Sequence, residues 1–458
     1  MVKQKTPPVT SANQGANARK IPARHFFGSA FKDFSLYDNV RSIPRLTDGM
    51  KPSQRKAIYG TQLRGENAGL QTVERLSAAV AASTDYHHGI GSMQTTIVGL
   101  ANTYPGSNNI NFFVPEGQFG SRLTSESAAA RYIETKLSPH FRNLCPKADD
   151  SILEHHVTDG EKIEPKTYAP LLPMVLVNGA SGTGTGHASV IMAYNPKEII
   201  ANCLVVLSGK NLVPGTLVPW YNGFSGEITR TQETGQVVCV GRLEVENATT
   251  IRVSELPIGT FLDQYKSRLM KLEDAGFIKD FEDRSTEDGF DFKITAPRST
   301  TALSVDELYK KFGLITRNTE NFTVWNIAGT LKRFESAEAL IEEFIPWRLS
   351  MMEARRQKLM SNTAESIRWM SEKLRFILFY LDNVDKFKNQ KKDDLVALLL
   401  QNKFVDYDRL LQMTMWNLTR DKIDELRKLI ADEEKALALL DGDTAQKMYT
   451  RELKALDY

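Results

Sequence analysis

Residues 127–138 read SAAARYIETKLS. The window favours a helix. At helical spacing Ala128, Ala129, Tyr132, Ile133 and Lys136 share one broad face. A tyrosine on such a face is ordinarily a half-buried core residue with its hydroxyl at the rim. The alternative is chemical. A free phenol, with a pKa of about 10, is a poor nucleophile at neutral pH. A neighbouring guanidinium favours the phenolate and also binds a phosphodiester oxygen. The rest of the chain has to decide between a packed tyrosine and a presented one.

The chain has 458 residues, which is too long for one core and predicts two to four domains. Hydrophobic content is 41% and charged content 25%, both ordinary for a globular protein. Lys plus Arg is 58 and Asp plus Glu is 56, so net charge does not announce a nucleic-acid binder. Basic residues must be read locally. Cys145, Cys203 and Cys239 are far apart and odd in number; they suggest neither a metal set nor a disulfide framework, and fit a reducing cytoplasm. No apolar run is long enough for a membrane span. Residues 1–25 are polar, mildly basic and rich in Pro, Ala and Asn, and read as a flexible arm.

From about Phe26 to Pro146 short helical windows alternate with Gly and Pro breaks. Ser92 is the expected N-cap of a helix over SMQTTIVGLANTY, and PEGQFGSRL reads as a loop. In PLLPMVLVNGASGTGTGHASV (170–190) an apolar, strand-like run ends in a Gly-rich turn. Residues 219–259 alternate apolar and polar side chains and predict antiparallel strands. After Phe344 glycine and proline nearly vanish. Met352, Leu359, Ile367, Met370, Leu374, Ile377, Leu381 and Val384, then Ile423, Leu426, Ile430, Leu437 and Leu440, recur at heptad-like spacing. They predict two long antiparallel helices, the second N-capped by Thr419, with a globular helical knob (391–413) between them.

Several groups invite chemistry. Arg41, Lys51, Arg55 and Lys56 lie close together and could touch successive phosphates, or form a solvated basic face. His87 and His88 point to opposite sides of an extended chain and lack a third ligand, so zinc is disfavoured; donation to a phosphate remains open. Gly179, Gly182, Gly184 and Gly186 do not match a dinucleotide loop, and no ribose-binding acid follows. They instead permit close backbone approach. The acids of DFEDRSTEDGFD (280–291) and the pair Asp441 and Asp443 have no apolar strand in front of them to build a metal site. A nucleophilic Tyr132 would therefore need a metal from another polypeptide.

Taken in order, DNVRSIPRLTDGMKPSQRKAIYG (38–60), YHHGIGSMQTTIVGLANTYPGSNNINFFVPEGQFGSRL (86–123), AAARYIETKLSP (128–139), VLVNGASGTGTG (175–186), PWYNGFSGEI (219–228), SELPIGT (254–260) and LLQMTMWNLTRDK (410–422) resemble the DNA breakage-reunion region of type IIA topoisomerases. The wording of YHHG and GSNNIN is nearer the eukaryotic form. A eukaryote-like region on its own short chain resembles the medium subunit of T-even-type bacteriophage enzymes.

The resemblance implies a multidomain α+β chain. It would have a winged-helix, CAP-like DNA-binding and cleavage domain over 26–172 and an α/β tower over 173–343. A coiled-coil arm with a helical dimerisation knob and exit gate would cover 344–458. Tyr132 would form a 5′-phosphotyrosyl link. Arg131 would hold the scissile phosphate, and His88, with His87, would support the site. Arg41, Lys51, Arg55 and Lys56 would hold the DNA backbone, with Gln118 and Arg122 lining the adjacent loop. Double-stranded DNA would be the substrate and a second copy the symmetric partner. Mg²⁺ and ATP would belong to an ATPase/Toprim large subunit. One departure stands out: Thr183 occupies the place of an isoleucine that wedges between base pairs in the family.

Two other readings use the same residues. A tyrosine-dependent nuclease would cut without strand passage, but needs no long helical arm. A winged-helix DNA-bending protein needs no Arg-Tyr pair.

Overall fold

The computed structural model describes residues 22–65, 68–231, 233–414 and 418–458. The expected arm over residues 1–25 therefore lies outside the described residues up to residue 21. Residues 23–28 are helical, so the arm's last residues belong to α1 (Ala23–Gly28), which turns into α2 (Ala30–Ser42).

Three helices build the first core: α3 (Pro52–Gln62), α4 (Val73–Ser83) and α5 (Ile90–Ala101), with the short strand β1 (Gln71–Thr72) leading into α4. Pro52 at the first position of α3 gives up an amide that has no partner there anyway. The N-cap of α5 is Gly89, with no side-chain cap, so Ser92 lies inside the helix rather than before it. Ile58, Leu76, Val80, Met93 and Ile97 close the centre with Phe113 and Phe141. Each such side chain contributes about 1.5–3 kcal/mol of burial.

Next come β2 (Glu134–Thr135), α6 (Pro139–Leu144), a 3₁₀ turn over Lys147–Ile152, and the hairpin β3 (His155–Thr158) and β4 (Glu161–Pro165). The apolar run before the glycines is a one-turn helix, α7 (Met174–Val177), not a strand. Prolines on both sides of Leu171 and Leu172 break any extended run. The strand character falls on the glycines themselves: β5 (Ala180–Gly184) pairs with β6 (His187–Ile191) as an antiparallel hairpin. Helix α8 (Pro196–Leu207) follows.

The expected antiparallel strands are present. β7 (Glu227–Arg230) and β8 (Val237–Val240) share a sheet with β13 (Ile315–Asn318); β9 (Arg242–Asn247) and β10 (Thr250–Glu255) share a four-stranded sheet with β11 (Asp280–Asp283) and β12 (Phe292–Thr295), in the order β11-β12-β10-β9. Helix α9 (Leu262–Asp274) precedes β11; α10 (Arg298–Thr301), α11 (Val305–Phe312) and β13 (Ile315–Asn318) follow β12. Ile251, Val253, Tyr265, Leu269, Phe292, Ile294, Leu308 and Phe312 form a second, separate core.

The hairpin β14 (Phe322–Trp325) and β15 (Leu331–Phe334) leads into α12 (Ala337–Asp382), 46 residues long, hence about 70 Å. Ser336 caps it, accepting from the Ala339 amide. A compact group of α13 (Val384–Phe387), α14 (Lys392–Gln401) and α15 (Tyr407–Leu411) packs on Phe376 and Phe404. The return helix α16 (Arg420–Gly442) runs back along α12, where Ile377, Ile423 and Leu426 meet. Thr419 stands at its N-cap position, and the motif residues 415–417 lie outside the described residues.

The boundaries drawn from the sequence cut through packed structure. α12 passes unbroken through residue 344, and its first turns bury Leu340, Ile341 and Phe344 in the first core. The last helix, α17 (Ala445–Ala455), leaves the arm and returns to that core with Met448, Tyr449 and Leu453. A buried ion cluster locks the root of the arm: Arg348 donates to Asp149 at 2.7 Å, and Arg355 reaches both Asp149 and Glu452.

Candidate functional site

The segment around Tyr132 is not a helix. Residues 130–132 form a turn and 134–135 a strand, so exposure alternates: Ile133 and Thr135 are buried, Tyr132 and Glu134 exposed. Tertiary contacts override the helical propensity. On one side the turn supplies acceptors to the otherwise unpaired first amides of α4. Val73 donates to the Ile133 carbonyl and Glu74 to that of Ala130, both at 3.0 Å. β1 pairs with β2, Thr72 opposite Glu134. On the other side the loop through Gln118 clamps the segment: Glu134 and Glu116 exchange amide bonds at 2.9 and 3.0 Å, and Ala128 donates to the Gln118 carbonyl at 2.9 Å.

The side chain this scaffold presents is Tyr132, 71% exposed, with no core contact. Arg131 is exposed beside it, its guanidinium carbon 4.9 Å from the ring centroid. Ala128 and Ala130 pack against the core. A turn clamped on both sides thus holds a phenol in solvent next to an exposed guanidinium. That is a nucleophile's setting for an anionic substrate.

Other candidates assemble elsewhere. Arg41 is exposed on α2. The β5–β6 hairpin lies on that helix. Asn39 donates to the Thr185 carbonyl at 3.1 Å, and Thr185 donates to Asp38 at 2.7 Å. Gly182 and Gly184 make this possible: a Cβ at Gly182 would stand 2.0 Å from the Ser42 carbonyl oxygen, and one at Gly184 2.2 Å from Asn39 Oδ1. Lys51 Nζ donates to the Ser181 carbonyl at 2.7 Å, and burial pulls its ammonium pKa down. Thr183 faces outward, opposite Ala188. His87 turns to Asp85 at 3.1 Å and His88 toward Tyr37 at 3.4 Å, on the same side of the molecule as α2.

Three expected DNA ligands are engaged internally. Arg55 is buried and holds Asp48 with two bonds of 2.6 and 2.8 Å. Lys56 is tied to Glu164 and to the Thr84 carbonyl. Arg122 pairs with Glu255 at 3.2 Å, donates to the Leu256 carbonyl and lies over Phe290. It fastens the Gln118 loop to the second core. Gln118 itself is exposed.

Tyr132 and the histidines do not meet within one chain. The tyrosine turn sits at the start of α4 and the histidines follow its end, about 16 Å along an eleven-residue helix. What sequence reading misses is the clamp of Asp38 and Asn39 on the hairpin. Its one signal is glycine at alternate strand positions, where a second backbone comes close.

Among the described residues no group of three His, Cys, Asp or Glu could hold a metal ion. Three of the six acids of 280–291 are paired with bases: Asp283 with Lys266, Glu282 with Arg284, Asp291 with Arg252. The described residues therefore do not by themselves form a Mg²⁺ site. The glycines form a hairpin, not a strand–loop–helix phosphate cradle for ATP. No helix among the described residues is long and apolar enough to cross a membrane.

Fold and site define a mixed α+β chain of several packed units that presents an exposed tyrosine next to an arginine on a clamped turn. Comparison with known proteins gives the family. Residues 41–454 match the A-subunit family of DNA gyrase/topoisomerase IV. DNA topoisomerase 2 of Arabidopsis thaliana is 35% identical over 96% of this chain and 33% of its own length. That of Penicillium chrysogenum is 34% identical over 95% of this chain and 30% of its own. In structure the chain is similar to the DNA-binding, cleavage and re-ligation domain of Plasmodium falciparum topoisomerase II, with a TM-score of 0.87 and 33% identity over 94% of this chain and 63% of that one. The chain belongs to the DNA gyrase/topoisomerase IV A-subunit family, and spans about a third of the length of the curated relatives just named.

Proposed function

We propose that this chain is the DNA breakage-reunion subunit of an ATP-dependent type II DNA topoisomerase. The observation that carries the proposal is Tyr132, held in solvent beside Arg131 by a turn clamped from both sides. Its Oη attacks a DNA phosphorus. An O–P bond forms to the tyrosine, the P–O3′ bond breaks, and the 3′ oxygen leaves with a proton. The phenol's own proton goes to solvent or to a nearby base. The phosphodiester energy stays in the phosphotyrosyl bond, so the reverse attack reseals the strand. Arg131 binds the anionic oxygens of the phosphodiester.

Strand passage needs two cuts, hence two chains. The separation of Tyr132 from His88 along α4 supports a shared site: the tyrosine of one protomer would work beside His88, Arg41 and Lys51 of its partner. In this reading the first core is a winged helix, the antiparallel sheets are a tower, and α12 with α16 is a coiled-coil arm whose knob closes the exit gate. Mg²⁺ and ATP belong, in this reading, to an ATPase/Toprim companion like that of the T-even-type phage enzymes.

The test is detergent trapping of the cleavage complex with Tyr132→Phe, in the presence of the companion. Loss of the covalent adduct with unchanged DNA binding is expected. A variant that still relaxed supercoils would end the assignment.

A further inference from the structure

We propose that Tyr37 is a positioning residue for His88: its hydroxyl decides which imidazole nitrogen is offered to the DNA. The inference rests on the reading above, in which His88 serves the cleavage site.

Tyr37 and Arg41 lie four residues apart on α2 and so project from the same side. Across from them runs the loop after α4. Asp85 takes a left-handed turn there, φ +50°, a conformation aspartate tolerates. The two histidines then part. His87 goes to Asp85, and His88 Nε2 lies 3.4 Å from Tyr37 Oη. The Tyr86 ring meets the His88 ring edge to face at 5.3 Å. One contact sets the plane of the imidazole and the other engages one nitrogen.

A neutral imidazole has one N–H donor and one acceptor nitrogen. With the phenol donating to Nε2, the proton resides on Nδ1. Nδ1–H is then the donor left for a phosphate oxygen. Among the described residues the Tyr37 hydroxyl is the one group bonded to a His88 ring nitrogen, so its removal takes away what selects that tautomer. At 3.4 Å the contact is at the long end of the hydrogen-bond range.

Tyr37→Phe keeps the ring and removes only the hydroxyl, and Tyr37 is 58% exposed, so folding tolerates the change. The chain has seven histidines, few enough for selective ¹⁵N-imidazole labelling, with His88→Gln used to assign the signal. At a pH where His88 is neutral, wild type is expected to show a protonated Nδ1 and an acceptor Nε2. Tyr37→Phe should lose that pattern. Its cleavage rate at saturating DNA, with the companion present, should fall about five-fold with DNA Kd unchanged, as expected for the loss of one neutral hydrogen bond in the transition state. An unchanged tautomer overturns the proposal whatever the rate does. A changed tautomer with an unchanged rate overturns it as well. Tyr132→Phe runs in parallel: if that variant still forms the adduct, the assignment of function fails. If it is inactive, the labelled spectra judge Tyr37 alone.

Discussion

Arg55 and Asp48 clasp each other inside the first core, Nε to Oδ2 at 2.6 Å and Nη2 to Oδ1 at 2.8 Å, with the carboxylate wholly buried. Asp48 also accepts from the amides of Met50 and Tyr168, each at 3.0 Å, and Arg55 also donates to the Met50 carbonyl. The pair welds α3 to the segment after β4. Removing one partner leaves the other charge buried and unpaired, at a cost of about 3–5 kcal/mol. Arg55→Ala should therefore lower the urea midpoint strongly. A variant of native stability that bound DNA more weakly would make Arg55 a phosphate ligand instead.

Arg41, exposed on α2, should behave in the opposite way. Each phosphate neutralised contributes about −0.9 to the slope of log K against log salt. Arg41→Ala should flatten that slope by about one for each phosphate it no longer neutralises. Its thermal stability should stay within about 0.5 kcal/mol of wild type, as for a surface change. Binding isotherms at several salt concentrations give the answer. An unaltered slope would remove Arg41 from the DNA surface.

The contrast between these arginines shows where sequence reading stops. Both stand in one basic stretch, and spacing alone cannot tell which side chain meets an acid contributed at Asp48. The long helices are legible because α12 and α16 carry their seam in local periodicity. The antiparallel sheets are legible from alternation over 219–259. The Tyr132 turn reads as a helix in sequence because its shape comes from partners far along the chain, Glu74 on α4 and Glu116 in the loop. Alanine content favours a helix locally, and distant carbonyl–amide bonds outweigh it. The tyrosine itself stands out as a candidate because Arg131 is next to it in the sequence.

Buried tyrosines should make the chain unfold steeply in alkali. Burial pushes the hydroxyls of Tyr168, Tyr194 and Tyr449 well above the usual phenol value, and that of Tyr221 up to about 12. A folded pKa above the unfolded one means stability is complete below pH about 10 and is lost as pH rises through the folded value. For Tyr221 the rise from about 10 to about 12 corresponds to about 2–3 kcal/mol once both values are passed. Stability measured by denaturant between pH 9 and 12 should fall more gently in Tyr221→Phe. Parallel curves for the two proteins would contradict this.

The hairpin's seat on α2 gives the last test. A Cβ on Gly184 would lie 2.2 Å from Asn39 Oδ1 and 3.3 Å from Asn39 Cα. Asn39 cannot swing aside cheaply: its side-chain nitrogen donates to the Thr185 carbonyl, and its backbone is pinned by the Trp325 indole donating to its main-chain carbonyl at 3.1 Å. Gly184→Ala must lift β5 from the helix, with an overpacking cost of about 1–3 kcal/mol. Thr183 would move with it, so DNA affinity should fall by more than stability explains. Gly91→Ala is the control. It lies in α5, where a Cβ meets nothing within 4 Å, and helix propensity there should add up to about 1 kcal/mol. Urea melts and DNA titrations of both variants decide the matter. If Gly184→Ala bound DNA as wild type does, the hairpin's position on α2 would have no part in holding the duplex.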